Sequence, residues 1–318
     1  MSTQATSSGH PLAQALEVRD AAKAFGATKA LVGASFDVHP GELLGLLGPN
    51  GAGKTTMIKA IAGRVGLDAG TIKLFGREVT RTDARPELGV VPQELAIYKL
   101  LTARENLTAF GALNGVTGTT LRDRVEWALE WSGLADRAKD MTKTFSGGMQ
   151  RRLNIACSLL HKPKLVLLDE PTVGVDPQSR ERIYEMLAAL KRDGVSVVLT
   201  THHLEEAERR CERIVIIDHG KIVAAGTMAE LVAKALGIAR VLAVQLGEPL
   251  PESVALPNGV LTDEHRVVLR VNVQDIARDV PARLAEISAL GAHVRGMDVT
   301  GASLQDVFIA LTGRELRE

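Results

Sequence analysis

Two hydrophobic periods alternate along this chain. Largely apolar runs at 43–47, 88–91, 165–168, 195–200 and 214–217 have the length and branched content of strands buried on both faces. Between them, apolar residues recur at helical spacing, as in Met57, Ile58 and Ile61, or Leu121, Val125, Ala128 and Leu129. The pattern predicts two strands around a turn over 15–37, a strand over 71–76 and helical structure over 102–137 broken at 111–119. It then predicts helices over 147–160, 178–192, 204–211 and 228–236, with a hairpin over 214–227 around Asp218 to Gly220. Past a boundary near 230–240 the character changes. Strands at 241–246, 267–271 and 294–299, with helices at 276–290 and 304–311, read as a small α+β unit that does not repeat the first.

At 318 residues, one large or two smaller domains are expected, and 45% hydrophobic with 24% charged residues suits a chain that buries a sizeable core. The 38 basic and 38 acidic side chains cancel, so charge gives no argument for nucleic acid or an anionic membrane surface. Cys157 and Cys211 have no metal-like spacing and read as two reduced thiols. Residues 1–14 are rich in Ser, Thr and Ala and lack a basic segment followed by an apolar one. They read as a disordered leader, not a signal peptide, and no apolar run approaches a membrane span.

The chemistry centres on Gly48-Pro49-Asn50-Gly51-Ala52-Gly53-Lys54-Thr55, with Thr56 behind, which satisfies the phosphate-loop pattern between a strand and a helix. The glycines free the backbone to curl its N–H groups around phosphate oxygens, and the helix N-terminus adds a positive dipole end. Lys54 supplies a cation for the β- and γ-phosphates, and the Thr55 hydroxyl suits Mg²⁺.

Other residues admit two readings each. Phe25 offers a ring face to an adenine base or fills a core or turn position. Gln93 is a metal ligand or water-orienting amide, or a loop residue. Ser146-Gly147-Gly148 at a helix start makes a second anion-seeking site, for a second phosphate or for the nucleotide of a neighbouring molecule. Asp169 and Glu170 end an apolar strand, where one can serve Mg²⁺ and the other polarise an attacking water, or both merely end the strand. His202 or His203, just past another strand, reaches a γ-phosphate or caps the next helix.

Taken in order, Phe25, Gly48 to Thr56, Gln93, Phe145 to Gln150, Leu165 to Glu170, Val173 to Asp176 and His202 resemble the elements of the ATP-binding cassette (ABC) family over about residues 16–230. The resemblance implies a P-loop NTPase core, with a mixed α/β sheet, an antiparallel β subdomain and a helical signature subdomain over about 97–160. Domains are then expected at 15–235 and 236–318. It implies ATP and Mg²⁺ as cofactors, with Thr55, Gln93 and Asp169 serving the metal and Glu170, Gln93 and His202 serving hydrolysis. His202 is preferred over His203 because it follows Thr201 as the family's histidine does. Phe25 is expected to stack on adenine. Ser146, Gly147, Gly148 and Asp176 are expected to meet nucleotide across a head-to-tail pair of cassettes, which answers the question of the second glycine site.

The resemblance further implies a membrane-spanning permease driven through the segment at roughly 97–140, and a place at the cytoplasmic face of the plasma membrane. Phe145 and Met149 stand where Leu and Gln are usual, with the Ser-Gly-Gly core intact. Met149 to Leu153, Gly174 to Pro177 and Ser303 to Gly313 are similar to the daunorubicin-resistance and nodulation-type exporters, whose cassette and permease are separate chains. A soluble cassette ATPase acting on nucleic acid or ribosomes is the alternative. The single cassette and the lack of a coiled-coil insertion or basic patches speak against it.

Overall fold

The computed structural model describes residues 14–79, 86–237, 240–263 and 265–313. Apart from Gln14, the expected leader lies outside them. The chain enters through two long strands, β1 (Leu16–Phe25) and β2 (Thr28–Val38), then β3 (Leu43–Leu47), α1 (Lys54–Ile61), β4 (Ala69–Leu74) and the short β5 (Arg77–Glu78). Next come β6 (Leu88–Val91), α2 (Ala103–Leu113), α3 (Gly118–Trp131), α4 (Gly147–Cys157), β7 (Leu165–Asp169), α5 (Pro177–Arg192) and β8 (Ser196–Thr201). The first part ends with α6 (Leu204–Arg210), β9 (Arg213–Asp218), β10 (Lys221–Gly226) and α7 (Met228–Leu236). Then follow β11 (Arg240–Leu246), β12 (Val260–Thr262), β13 (Val268–Asn272), α8 (Ile276–Ala289), β14 (Val294–Gly301) and α9 (Leu304–Thr312).

The largely apolar runs become strands of one sheet. β3 and β7 are buried at every position, as strands covered on both faces must be. They lie in a six-stranded sheet of order β10-β9-β3-β8-β7-β6, parallel except for the β9–β10 hairpin. A separate antiparallel sheet, β2-β1-β4-β5, shares one core with α1 and one face of the six strands, through Leu16, Phe36, Leu46, Met57 and Ile217. On the other face, α5 buries Ile183, Leu187 and Leu190 against Val166, Leu168 and Val197. The helices α2, α3 and α4 form their own cluster around Leu107, Leu129 and Leu153, which includes Phe145.

Boundaries shift for identifiable reasons. The helix expected to reach 160 stops at Cys157, and Arg124 donates to the carbonyls of Leu159 and Leu160 beyond it. Lys162 then takes a left-handed φ of 55° ahead of Pro163, which turns the chain. The strand expected over 71–76 ends at Leu74, because Phe75 and Gly76, both at positive φ, make a tight turn into β5. β12 carries too few apolar residues to show a period.

The last sheet, β12-β13-β11-β14, is antiparallel and packs Leu242, Val244, Leu269 and Val271 against Val280 and Ile287 of α8. The chain then returns. α9 buries Leu304, Val307 and Phe308 against Leu231 and Leu236 of α7, Ala207 of α6, Ile214 and Ile216 of β9, and Leu47 at the end of β3. Glu208 of α6 accepts from the Leu304 backbone N–H at 3.0 Å, filling one of the open donors at the start of α9. Arg270 of β13 pairs with Asp306 at 3.3 Å.

Phe308 is fully buried, so Phe308→Ala is expected to cost about 3–5 kcal/mol in urea unfolding. Unchanged stability would mean that α9 packs loosely and the wall beside Leu47 stands without it.

Candidate functional site

β3 delivers Leu47 to the sheet's edge, and the loop that follows is shaped by backbone crowding. A Cβ on Gly48 would sit 2.2 Å from the Ile217 carbonyl oxygen, and one on Gly53, at φ 110°, would sit 2.5 Å from that of Ala30. Only glycine fits either place. The turn between β9 and β10 holds the loop from outside: the Gly220 N–H donates to Ala52 O at 2.9 Å, and Val32 N–H donates to Gly220 O at 2.8 Å. Gly53 is the N-cap of α1, makes no side-chain cap, and is followed by no acidic residue in the first turn. The first N–H groups of α1 are therefore left for an external anion, beside half-buried Thr55 and Thr56. Lys54 curls back over the loop, donating to Gly48 O at 2.8 Å and Pro49 O at 3.1 Å.

Three side chains from separate elements converge on Glu170. Lys54 Nζ lies 3.3 Å from Oε1, His202 Nδ1 lies 3.2 Å from the same oxygen, and Gln93 Nε2 donates to Oε2 at 3.1 Å. A carboxylate only accepts, so Nδ1 of His202 carries the proton. Lys54 and Glu170 have side chains only 5% and 8% exposed, so the ion pair is largely stripped of water. Glu170 itself sits at φ 47°, a left-handed conformation uncommon for a non-glycine residue. Its N–H donates to Thr200 Oγ1 at 2.9 Å, and the Thr200 hydroxyl donates to Asp169 Oδ1 at 2.7 Å. The group thus gathers at the C-terminal ends of β3, β6, β7 and β8, where open α/β sheets receive ligands.

The remaining residues from the sequence reading fall elsewhere. Ser146 caps α4 through Met149 N–H, and Asp176 caps α5 through Ser179 N–H. These two helix starts meet: a Cβ on Gly148 would lie 2.1 Å from Ser179 Oγ and 3.4 Å from Asp176 Oδ2. Gly147 beside them has open space where a side chain would be. Ser146, Gly147, Gly148 and Asp176 therefore form a second group on elements other than those that gather at Glu170, with Ser146, Gly147 and Asp176 exposed and Gly148 buried between the helix starts. Phe25 ends β1 with its ring 51% exposed and Lys23 Nζ 5.5 Å from its centroid, so it is no core residue. His203 is the N-cap of α6, and its backbone N–H donates to Thr201 Oγ1 at 2.9 Å. Sequence reasoning missed Thr200 and Glu206, which touch the loop ends from neighbouring elements. Neither stands in a motif that singles it out.

The donor set fits a nucleotide with its metal. The loop offers N–H donors and Lys54 for phosphates, while Thr55, Gln93 and Asp169 supply oxygen donors of the kind Mg²⁺ takes alongside water and phosphate. Among the described residues no group of three or more His, Cys, Asp or Glu side chains forms a metal cage of its own.

Comparison with known proteins gives the same family from several directions. The family model described as ABC transporter matches residues 31–173, and one for an AAA domain (putative AbiEii toxin, type IV toxin–antitoxin system) matches 140–208. The chain is 40% identical to the linearmycin resistance ATP-binding protein of Bacillus subtilis over 310 residues, covering 95% of this chain and all of the relative. It is 37% identical to the daunorubicin/doxorubicin resistance ATP-binding protein of Streptomyces peucetius, covering 94% and 93%. With the Nod factor export ATP-binding protein I of Paraburkholderia xenovorans it shares 38% identity over 96% and 99%. Among solved structures, an ATP-binding subunit of an ABC transporter aligns at a TM-score of 0.63 and 31% identity, over 69% of this chain and 92% of the other. A dimeric ATP-binding cassette with bound ADP and phosphate aligns at 0.61 and 27%, over 67% and 98%.

The crowding at Gly48 yields a direct test. Gly48→Ala is expected to displace the loop, abolish binding of a fluorescent ATP analogue and lower stability by at least about 2 kcal/mol. Normal affinity would show that the loop relaxes around a methyl group and that its shape is not set by Ile217.

Proposed function

The chain belongs to the family of ABC transporter ATP-binding subunits, and from that premise we propose that it is the ATPase of an exporter whose membrane-spanning permease is a separate polypeptide. It is an ATP-binding, transport-coupled ATPase with the α/β P-loop fold of the cassettes. The observation that carries the finer reading is the convergence of Lys54, Gln93 and His202 on the buried Glu170 carboxylate. In this reading the loop 48–56 binds the phosphates and Phe25 stacks on adenine. Thr55, Gln93 and Asp169 would hold Mg²⁺, which when bound would neutralise charge on the phosphates. Glu170 accepts the proton of the attacking water, and Lys54 and His202 address the γ-phosphate.

The group of Ser146, Gly147, Gly148 and Asp176 is read as the half-site offered to the nucleotide of a second cassette, with a second copy of this chain as the partner. Residues 15–235 are read as the nucleotide-binding unit and 236–318 as an accessory unit. No helix among the described residues is long and apolar enough to cross a membrane, in keeping with a peripheral subunit at the cytoplasmic face. The resistance and Nod-factor-export names of the relatives support export.

A cavity of about 300 Å³ between the two halves of this unit supports the permease contact. It is lined by Arg64 and Leu88 on the sheet side and by Phe110, Asn114, Asn154 and His161 on the helical side. His161 Nε2 donates to Leu88 O at 3.1 Å, which leaves Nδ1 as an acceptor, and burial holds the ring's pKa below its usual value. That Nδ1 and the Asn154 Nδ2 donor have no partner among the described residues. One unpartnered acceptor and one unpartnered donor in a cleft of mixed polar and apolar lining suit a main-chain amide of a docked segment.

Glu170→Gln, weighed in solution by light scattering, is expected to be a monomer alone and a dimer with ATP and Mg²⁺, while hydrolysing ATP at least about 100-fold more slowly. Lys54→Ala should stay monomeric and fail to bind ATP. A monomer throughout, with the permease present, would sink the shared-site reading. A second outcome concerns the cleft: His161→Leu combined with Asn154→Leu is expected to keep basal ATP hydrolysis but lose co-purification with the permease. Retained assembly would place the permease elsewhere.

A further inference from the structure

The catalytic group draws Glu170 from the loop after β7 and His202 from the end of β8, and the strands alone fix only where those loops begin. We infer that Glu206 is the positioning residue that sets the two loops against each other, an inference that rests on the hydrolytic role proposed for Glu170. Glu206 lies in the first turn of α6, four residues after His202, with its side chain 11% exposed. Its Oε2 accepts from the Thr172 hydroxyl at 2.9 Å and from the Tyr184 hydroxyl of α5. Its Oε1 lies 3.1 Å from Arg180 Nη1. Thr172 is two residues beyond Glu170, across Pro171, and is itself 1% exposed. One carboxylate on the helix that follows His202 therefore grips the loop that carries Glu170.

The grip has the chemistry of a permanent fixture. A charged acceptor makes stronger hydrogen bonds to hydroxyls than a neutral one does, and in a water-poor place it loses more when a partner goes. Burial and the neighbouring Glu206 push the Tyr184 hydroxyl well above its usual pKa, so it remains a donor. At its start the Glu170 N–H donates to Thr200 Oγ1 of β8 at 2.9 Å, and beyond that point the loop has few other ties. Val173 N–H reaches Glu170 O at 3.4 Å, Val175 N–H reaches Thr172 O at 3.2 Å, and Arg180 Nη2 meets Val175 O at 3.4 Å. These three bonds are longer, and all lie within the loop or run to Arg180 of α5. The Thr172–Glu206 bond, at 2.9 Å, is shorter and leads directly to the helix that follows His202.

Glu206 touches neither Lys54 nor Gln93, so its loss should leave nucleotide binding in place and disturb only the alignment of Glu170 with His202. For the full chain, Glu206→Gln is expected to lower kcat by at least about tenfold, while the dissociation constant for ATP, measured directly with a fluorescent analogue, stays within about twofold. Thr172→Val should show the same split, Thr172→Ser should restore kcat, and the double variant Glu206→Gln/Thr172→Val should be no slower than the worse single one. Should Glu206→Gln fail to fold, Thr172→Val decides, since it removes the bond and leaves the carboxylate with Tyr184 and Arg180. Unchanged kcat in Thr172→Val, a parallel loss of binding and turnover, or multiplying effects in the double variant would overturn the assignment. An unaltered chain that neither binds nor hydrolyses ATP would instead sink the ATPase reading itself.

Discussion

A buried carboxylate beside a buried ammonium constrains the rest of the molecule. Taking Glu170 and Lys54 out of water costs several kcal/mol per charge unless each finds close partners, and the fold is arranged so that both do. Lys54 is held by the loop carbonyls and by Glu170; Glu170 is held by Lys54, Gln93 and His202. To bring these together, four parallel strands must end at one level. Glu170 must accept a left-handed backbone, and Gly48 and Gly53 must do without side chains. Thr200 makes this possible by spending one hydroxyl twice, accepting from Glu170 N–H and donating to Asp169.

The same economy separates two kinds of residue around the nucleotide site. Those that gather on Glu170 are preorganised within one chain, at distances fit for chemistry. Those at the starts of α4 and α5 are preorganised with each other but lie apart from it. Ser146 and Asp176 cap their helices in the same manner, and Gly148 lets the two helices approach. Under the shared-site proposal, the two groups would meet only across an interface between cassettes, so that recognition and chemistry would be assembled by different events.

Much of this was legible in the sequence because it follows local rules. The buried strands announced themselves as largely apolar runs, the phosphate loop by glycine spacing between strand and helix, and Ser146 by its place before a helical stretch. Helix ends were misjudged where a distant side chain decided them: Arg124, on α3, bonds the carbonyls past α4. The exposure of Phe25 and the neighbours of His202 and His203 depend on which loops face which, and one chain's pattern carries no record of that. Glu206 was invisible for the same reason. It sits in Leu204-Glu205-Glu206-Ala207, where two adjacent acids look alike, and only the fold turns one of them toward Thr172. The short β12 and the packing of α9 are likewise tertiary facts.

The return of α9 ties the far end of the chain to the nucleotide loop. Leu47, which leads into the phosphate loop, shares a core with Phe308, a residue that follows the last sheet. Without α9, the buried residues of that core left to cover Leu47, Ile214 and Ile216 would be Ala207 of α6 and Leu231 and Leu236 of α7. Any event that draws α9 away therefore loosens the packing directly behind the phosphate loop, without touching a residue of the loop itself.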